Sequence, residues 1–483
     1  MSRSPHARFA PPRIALALPF LASVAIWSPA CGGGGQPVAP RLIAGGGVGD
    51  GPIAGLLNIY VTDVDTRAPI AAANVRVGAS AAASPCTALT DSTGLAVMNA
   101  ESCPALRGKQ TLTAWAQGHV PSTLIGVNGA NVTVTIRATA PAPVETATVT
   151  GTITGWDGLA APATGHQTLG IVGYSQTRDL GDRANELPQG TRPITVTGVG
   201  SVGTINVQAN VCVRNAAVSD CSWRLTTRTG AQAHYAVVLD QDTKGTPNDD
   251  SDDTFTAIGW AVKTGLNFAA GQNASGESLA LLGDTEMRTL TVTMTSPPPG
   301  LDDVAGFPMI DLGSDGRVPI TSPALDLTVT STRVPALTGA LAAASYDLLA
   351  RAQDAKDKAQ PSTLTWLHRV DAAATISVAG WLTPPVGLSA AGGVYSFAPV
   401  PGATLHSADL KTTADATVWS VTIFDDTTSF TLPGLTPDPV PTGMVRFDVS
   451  ALRIPGVGLQ DVSFDDAREK ITGLSSDEIT FTR

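Results

Sequence analysis

Apolar and polar residues alternate with a period of two along most of this chain. In residues 233–239 the larger apolar side chains Tyr235, Val237 and Leu239 take every second position. Because successive side chains of a β-strand point to opposite faces of a sheet, this period predicts strands. Similar strand candidates lie at 202–214, 222–228, 254–262 and 288–295. The pattern therefore predicts an all-β protein.

Proline-rich breaks divide this β pattern into regions. Residues 138–144 (ATAPAPV) and 296–300 (SPPPG) interrupt the alternation, as Pro and Gly do at turns and linkers. We therefore expect a first β-sandwich at 50–140, a second at 145–296 and a C-terminal β region at 300–483.

The C-terminal region allows two interpretations at two points. It forms either one large sandwich or two small ones, which would divide near Thr383–Pro385. The segment Leu337–Gln360 is rich in Ala, Leu and Lys, which favour a helix. Since every neighbouring element is β, we interpret Tyr346–Ala352 as a strand that follows an alanine-rich connection. The expected architecture is a series of β-sandwiches, the later ones Ig-like or related to that fold.

The N-terminal residues 1–30 have the three-part layout of a secretory signal peptide. Arg3, Arg8 and Arg13 give a positive start, and residues 14–27 (IALALPFLASVAIW) are apolar. This apolar stretch is shorter than the roughly 20 residues that a membrane-spanning helix needs. Small residues follow it, so we expect export and cleavage.

Cys31 directly follows the predicted cleavage site. Residues 28–31 (SPAC) resemble a bacterial lipobox, although Ser28 stands where leucine is usual. The resemblance implies acylation of Cys31, here with palmitate, and a membrane lipoprotein held by its N-terminus. Gly32 resembles the residue found in lipoproteins that are sorted to the outer membrane of Gram-negative bacteria. Ordinary signal cleavage, giving a secreted or periplasmic protein, is the alternative.

A glycine-rich segment at 31–49 has no hydrophobic periodicity, and we expect it to act as a flexible leash. Apart from the signal, no apolar stretch is long enough to span a bilayer. Contact with the membrane is therefore expected through Cys31 alone.

Residues 54–139 resemble the carboxypeptidase regulatory-like domain. Ala72 stands where this family usually has glycine, and His119 where it usually has tyrosine. The resemblance implies a transthyretin-like (prealbumin-like) sandwich of seven strands, which is non-catalytic and recurs in exported proteins. The matching features are Val61-x-Asp63, Ala68-Pro69-Ile70, Val75-x-Val77, the turn Thr90–Gly94, and Leu112-Thr113-Ala114 before Gly118.

The composition narrows the possible partners. A net charge of −11 argues against binding to nucleic acid and against polybasic attachment to anionic lipid. The 49 Gly and 35 Pro residues fit short strands that are joined by many turns.

The five cysteines divide into Cys31 and two close pairs, Cys86/Cys103 and Cys212/Cys221. Because an exported protein meets an oxidising compartment, the local pairs are expected to be disulfides. Four cysteines on one metal are the alternative, but no CxxC spacing supports it. We expect the first bridge to stabilise the fold by about 3 kcal/mol in the chain-entropy model.

An acidic loop, residues 240–253 (DQDTKGTPNDDSDD), joins two strand candidates. Calcium prefers six to eight oxygen ligands, so this loop is a weak candidate for a structural calcium site. Lys244 and Ser251 break the EF-hand pattern, and a solvated acidic loop is the simpler interpretation. The candidate ligands are Asp240, Asp242, Asp249, Asp250, Asp252 and Asp253.

No catalytic motif stands out in this sequence. The histidines are scattered without ligand spacing, and no G-x-S-x-G elbow is present. The tryptophans are spread through every β region, as is expected of core anchors. Trp156 sits between glycines in a predicted turn, so it is the expected exposed exception.

These features together predict a surface lipoprotein that serves as a non-catalytic scaffold, adhesion or ligand-binding module. Polysaccharide or other surface proteins are the expected partners. The alternative is an accessory or catalytic component of extracellular polysaccharide or peptide degradation, with carbohydrate-binding sandwiches.

Overall fold

The protein is all-β, as its alternating pattern predicts, with 54% of the described residues in strands and 5% in helices. A computed structural model describes the chain from Val38 to Arg483 with internal gaps. The described residues are 38–78, 86–178, 183–185, 192–196, 200–205, 211–214, 219–245, 253–320, 325–328, 330–356, 360–370 and 375–483. They belong to one compact unit.

The strands of the first region are short and follow its alternating pattern. They are β1 (Gly47–Gly49), β2 (Leu56–Asp63), β3 (Asn74–Val77), β4 (Cys86–Leu89), β5 (Leu95–Asn99), β6 (Gln110–Trp115), β7 (Ser122–Val127) and β8 (Asn131–Ile136).

The middle region contains the longest strands. Its elements are β9 (Thr146–Thr154), β10 (His166–Tyr174), β11 (Arg192–Val196), β12 (Gly200–Ile205), β13 (Val211–Arg214), β14 (Ser219–Asp220), β15 (Ser222–Arg228), β16 (Gly230–Asp242), β17 (Thr254–Phe268), β18 (Asn273–Ala280) and β19 (Met287–Met294). The strand predicted at 202–214 is thus two strands, β12 and β13.

The C-terminal region adds further strands and one short α-helix. These are β20 (Asp303–Asp311), β21 (Arg317–Pro319), β22 (Ser331–Pro335), β23 (Ser345–Gln353), β24 (Ser362–Val370), β25 (Ile376–Val378), β26 (Ser389–Ala391), β27 (Val394–Ser396), β28 (Leu405–Thr412), β29 (Thr417–Ile423), β30 (Ser429–Thr431), β31 (Met444–Arg453), β32 (Val462–Ser463), α1 (Phe464–Glu469) and β33 (Gly473–Thr482). Short 3-10 turns lie at Trp156–Gly158, Arg183–Asn185, Asp284–Glu286, Gly313–Asp315 and Gly339–Leu341.

The first region forms two layers around one apolar core. One layer is the sheet β32-β1-β8-β2-β5, and β3, β4, β6 and β7 form the other layer. Leu57 and Ile59 of β2 are fully buried in this core together with Val75 and Leu112 of the opposite layer. Burial of the alternate side chains of each strand is what holds the layers together.

The first and C-terminal regions share their sheets. Strand β7 pairs in parallel with β29, so that Ser122 lies beside Ser420. This pairing creates a 12-stranded sheet with the order β21-β20-β23-β24-β33-β31-β28-β29-β7-β6-β3-β4. A second junction pairs Val48 of β1 with Val462 of β32. The sheets therefore run across the sequence regions rather than stopping at their boundaries.

The middle region packs its sheets in layers as well. The sheet β15-β9-β18 covers one face of the sheet β14-β13-β10-β16-β17. Strand β16 is buried on both faces. Ala236 and Val238 belong to the core between these two sheets, whereas Tyr235 and Val237 belong to a second core. The second core includes Leu348 of β23, so the middle and C-terminal regions also pack together.

Both predicted disulfides are present. Cys86–Cys103 ties the edge strand β4 to the loop after β5, with its Cα atoms 5.5 Å apart. Cys212–Cys221 closes the hairpin of β13 and β14. Each bridge therefore links elements that are close in sequence.

The predicted leash ends earlier than residue 49. Residues 38–49 contain β1, and the backbone N–H groups of Arg41 and Ile43 donate to the side chains of Asn131 and Thr133. Val48 is fully buried. The prediction is wrong for this part because these backbone groups find partners on the first sandwich. Residues 31–37 lie outside the described part of the chain.

Two other expectations are resolved by the structure. The segment at 337–360 contains strand β23, which confirms the strand interpretation over the helix. Trp156 is only 4% exposed, so the expectation of an exposed ring is wrong. Its ring packs where a Cβ at Gly170 would lie 3.0 Å from it, so the absence of a side chain at Gly170 makes room for the indole.

Gly47 provides a test of the junction between β1 and β32. It has φ +139°, and a Cβ there would lie 1.9 Å from the carbonyl oxygen of Val462. We expect Gly47→Ala to lower the free energy of unfolding by about 1–3 kcal/mol more than Gly51→Ala does, because of overpacking. Gly51 is the matched control, since it also has positive φ (+73°) but a Cβ there would meet no atom within 4 Å. Urea unfolding of both variants measures the difference, and equal losses would contradict the role of this junction.

Candidate functional site: a cleft between two sheets

A cleft of about 370 Å³ lies where the 12-stranded sheet faces strand β8 and helix α1. Its floor carries Ser407 and Asp409 of β28 and Ser420 and Thr422 of β29. Asp409 pairs with Ser420 and Ser407 with Thr422 across these strands, so all four side chains project from the same face. The pairing of β29 with β7 places Ser122 beside them. The floor is therefore a patch of hydroxyl groups around one carboxyl group.

The walls of the cleft are mainly apolar. Ile136 of β8 and Leu405 of β28 line it on two sides, and Phe464 of α1 lines it on a third. The ring of Phe464 stacks on that of Phe424, with the centroids 6.0 Å apart and the planes 15° apart. This stacking fixes the orientation of the aromatic wall.

Contacts with the first region hold α1 beside the cleft. The backbone N–H of Phe464 donates to the carbonyl oxygen of Gly46 at 2.9 Å, and the hydroxyl of Ser463 donates to that of Ala44 at 3.0 Å. Asp465 forms an ion pair with Arg67 at 3.1 Å. A six-residue helix is too short to be stable alone, so its position depends on these contacts.

The electrostatic environment of Asp409 shifts the pKa of its carboxyl group upward. Burial raises its pKa, and the neighbouring carboxylate of Asp448 raises it further. Lys411, the hydroxyl of Ser420 and Arg137 act in the opposite direction, but the net shift is upward. A carboxyl group with a perturbed pKa in a cleft is a candidate functional group.

Asp448, the neighbour of Asp409 on β31, has a different role. It is 7% exposed, and Lys411 Nζ donates to its Oδ2 at 2.9 Å. Burial lowers the pKa of Lys411, but Asp448 outweighs it and the net pKa is raised. Asp448 is therefore engaged in a buried ion pair beside the cleft.

The described residues that line this cleft include three charged side chains: Asp409 on the floor, and Arg137 and Arg468. Hydroxyl groups and a carboxyl group on the floor, with an aromatic wall, can hydrogen-bond a ligand with several polar groups while covering its apolar faces. Sequence reasoning missed this site. The alternation of Ser407, Asp409 and Lys411 with apolar residues was its one signal, and such a face usually meets solvent.

The acidic loop is only partly described. Asp240 Oδ2 lies 2.9 Å from Nδ1 of His166, and Gln241 donates to Asp253. Hydrogen bonds and charge from Lys244 lower the pKa of Asp242. Asp249, Asp250 and Asp252 lie outside the described residues, as does Cys31. Within the described ranges no group of three or more His, Cys, Asp or Glu residues is placed to hold a metal. The calcium site stays a prediction.

The described helices include none that is long and apolar enough to cross a bilayer.

No protein-family model matches this sequence, and no curated protein sequence matches it. Among solved structures, the Bacillus anthracis TIE protein is 9% identical with a TM-score of 0.14, covering 68% of this chain. This chain spans 50% of that protein. The shaft pilin SpaA from Lactobacillus rhamnosus GG is 12% identical with a TM-score of 0.14, covering 48% of this chain and 98% of its own.

A putative adhesin from Bacteroides ovatus is 8% identical with a TM-score of 0.15, and the match covers 50% of this chain and 95% of the adhesin. TM-scores of this size do not transfer a function to this chain. The site has to be interpreted from its own residues.

The pKa of Asp409 gives a test of the site in the absence of a ligand. Because its pKa is higher in the folded state, protonated Asp409 stabilises the fold relative to ionised Asp409. This contribution is complete below the unfolded-state pKa, near 3.8, and is lost as the pH rises through the higher folded-state pKa. We therefore expect Asp409→Asn to raise the melting temperature at pH 8 relative to wild type, and this gain to disappear towards pH 4. Asp284→Asn is the control, since the side chain of Asp284 is 93% exposed. A difference that does not vary with pH would contradict the raised pKa.

Proposed function

We propose that this protein is an exported, lipid-anchored surface protein that binds a saccharide in the cleft between its sheets, without catalysis. The observation that carries the proposal is the floor of the cleft, where Asp409 stands among serine and threonine hydroxyls. Saccharides present many hydroxyl groups, and carboxylate and hydroxyl side chains are suitable hydrogen-bond partners for them. Phe464 supplies an apolar wall against which the C–H face of a sugar ring can pack.

The carboxyl groups around the cleft favour binding over hydrolysis. Glycosidases generally use two carboxyl groups that flank the scissile bond. Asp409 is the carboxyl group on the floor, whereas Asp448 is buried in its ion pair with Lys411. We therefore infer a binding site rather than a component of polysaccharide degradation.

The proposed export and anchoring rest on the N-terminal residues and on the cysteines. The two disulfides fit a protein that folds in an oxidising compartment. Cys31 remains as the fifth cysteine, in the lipobox-like sequence of residues 28–31. We propose that it carries the lipid and that residues 54–139 form a carboxypeptidase regulatory-like module.

The proposed anchor is close to the folded part in sequence. Val38 is seven positions after Cys31, and its carbonyl oxygen accepts a hydrogen bond from Asn58. A fully extended chain advances about 3.6 Å per residue, so this segment can span at most about 25 Å. The protein would therefore be held near the membrane surface, with binding directed to material at that surface.

The anchor is tested by replacing Cys31. We expect Cys31→Ala to abolish incorporation of labelled palmitate and to release the protein from the membrane fraction, because the thiol is the acylated group. Labelling is followed by autoradiography of the immunoprecipitated protein. Ser28→Ala, which keeps a small residue at the cleavage site, is the control that should retain the label. Equal labelling of wild type and Cys31→Ala would exclude this anchor.

The saccharide site is tested with an array of neutral polysaccharides and the chain from residue 32 onwards. We expect a glycan that binds the wild-type protein to lose at least about tenfold in affinity with Asp409→Asn, which removes a charged hydrogen-bond acceptor. Calorimetry measures the affinity, and Asp284→Asn serves as the control. Failure of every glycan to bind, or turnover of any of them, would overturn the proposed function.

A further inference from the structure

A second cavity, of about 410 Å³, lies on the other side of helix α1. Ala467 and Arg468 of this helix line the cleft described above, whereas Asp466 and Glu469 line the second cavity. Strands β20, β21, β23 and β24 contribute Asp311, Arg317, Asp347, His368 and Arg369 to it. The cavity is therefore a separate site in which charged side chains converge.

Arg317 is the central group of this cavity. It is 2% exposed, and its guanidinium lies over the ring of Trp366 at 4.7 Å from the centroid. Its Nε lies 3.2 Å from Asp347 and 3.7 Å from Asp311, and its Nη1 donates to the carbonyl oxygen of Arg178 at 3.1 Å. Arg317 thus donates one hydrogen bond to the described residues, although its guanidinium group has five N–H donors. A buried guanidinium with unused donors beside a cavity is an incomplete binding arrangement.

The carboxylate next to Arg317 is engaged by several donors. Burial favours a raised pKa for Asp347, but hydrogen bonds from His368 and from the backbone of Arg369, with the charge of Arg317, lower it overall. Asp347 Oδ1 accepts from Arg369 N at 3.0 Å, and Oδ2 lies 3.2 Å from His368 Nδ1. Asp347 therefore stays ionised and holds the cluster in place.

Asp311 is occupied in the same way. Its Oδ2 lies 3.2 Å from Nη2 of Arg178, and its Oδ1 accepts from the backbone N–H of Gly313 at 2.9 Å. Glu469 is 3.7 Å from the same guanidinium of Arg178. Arg178 and Arg317 thus balance Asp311 and Asp347, whereas Glu469 shares Arg178 with Asp311 and leaves one negative charge over.

Arg369 is held in an unusual backbone conformation at this cavity. Its φ is +50°, at a register shift between β23 and β24 that places Asp347 opposite it. A non-glycine residue is strained in this region of φ, and such strain concentrates at functional sites. The side chain is exposed and forms no hydrogen bond or ion pair with the residues that the structure describes. Glycine would relieve the strain, so a long cation at this position needs another reason.

Lys470, directly after α1, adds a second cation without a partner among the described residues, and it also lines the cavity. Arg369 and Lys470 thus bring two available positive charges to an opening that leads to Arg317. Asp466 and Glu469 carry the opposite charge, so the four basic and four acidic side chains of the lining balance. Arg369 and Lys470 are nevertheless the two cations of the lining that form no ion pair with the described residues.

We propose that this cavity binds a small ligand through an oxyanion group, either a carboxylate or a phosphate. The open N–H donors of Arg317 present the planar edge that such groups accept, and Arg369 and Lys470 close over the anion from the surface. The proposal is independent of the saccharide cleft.

The test uses inorganic phosphate and succinate as probes, titrated into the chain from residue 32 onwards by calorimetry at low ionic strength, where the charges are little screened. We expect one or both probes to bind and Arg369→Gly to weaken binding about tenfold or more. Arg369→Gly should leave the melting temperature unchanged or raise it, since it relieves the positive φ. Arg369→Lys should retain most of the binding, because it retains the charge.

The controls separate this site from the rest of the molecule. Arg333→Ala removes an exposed arginine that pairs with Asp284 outside the cavity, and it should leave the affinity unchanged. Asp409→Asn should also leave the affinity for phosphate and succinate unchanged, because Asp409 lies in the saccharide cleft. The outcome for the second cavity is therefore independent of whether the first cleft binds a saccharide. Phosphate binding alone or succinate binding alone identifies the oxyanion. No binding of either probe to wild type, or equal affinity of Arg369→Gly, would overturn the proposal.

Discussion

The parallel pairing of β7 with β29 is the interaction on which the rest of this structure depends. It joins strands about 300 residues apart into one sheet and is reinforced by the hydrogen bond from the Trp419 indole to Thr123 at 3.0 Å. Most of the floor of the saccharide cleft comes from the β29 side of this pairing, whereas Ser122 of the floor and Ile136 of the wall come from the β7 side. Without the pairing, Asp409 would lie on an ordinary solvated face of a sheet rather than in a cleft.

Helix α1 gives this arrangement its two cavities. The helix is the one α-helical element in the part of the chain that the structure describes, and its Phe464, Ala467 and Arg468 line the cleft opposite the floor strands. A strand at this place would have paired with neighbouring strands in the plane of the sheet, whereas a helix keeps its backbone at a distance from the sheet. The spaces on its two sides are therefore cavities that combine polar with apolar lining, as binding sites do.

Local features of this fold could be predicted from the sequence, and long-range features could not. The strand at 222–228 and both disulfides follow from a two-residue period and from close cysteine spacing. The partners of the strands do not, because alternation shows which side chains share a face but not which strand lies alongside. This is why the sequence did not single out Asp409, and why Trp156, placed in a turn by its glycine neighbours, was expected to be exposed. It is also why residues 38–49 looked like a leash: Arg41, Ile43 and Ala39 find side-chain partners some 90 residues later.

The position of β33 has a consequence for how the protein reaches its folded state. This strand lies between β24 and β31 in the 12-stranded sheet, and β29 completes the edge of β7. During synthesis the first region emerges early, while residues 417–423 follow about 300 residues later and residues 473–482 later still. Until these segments pair, β7 and β24 have open strand edges of the kind that pair wrongly between chains. Sheets built from such distant segments fold slowly. Prolonged exposure of these edges during folding should therefore favour aggregation.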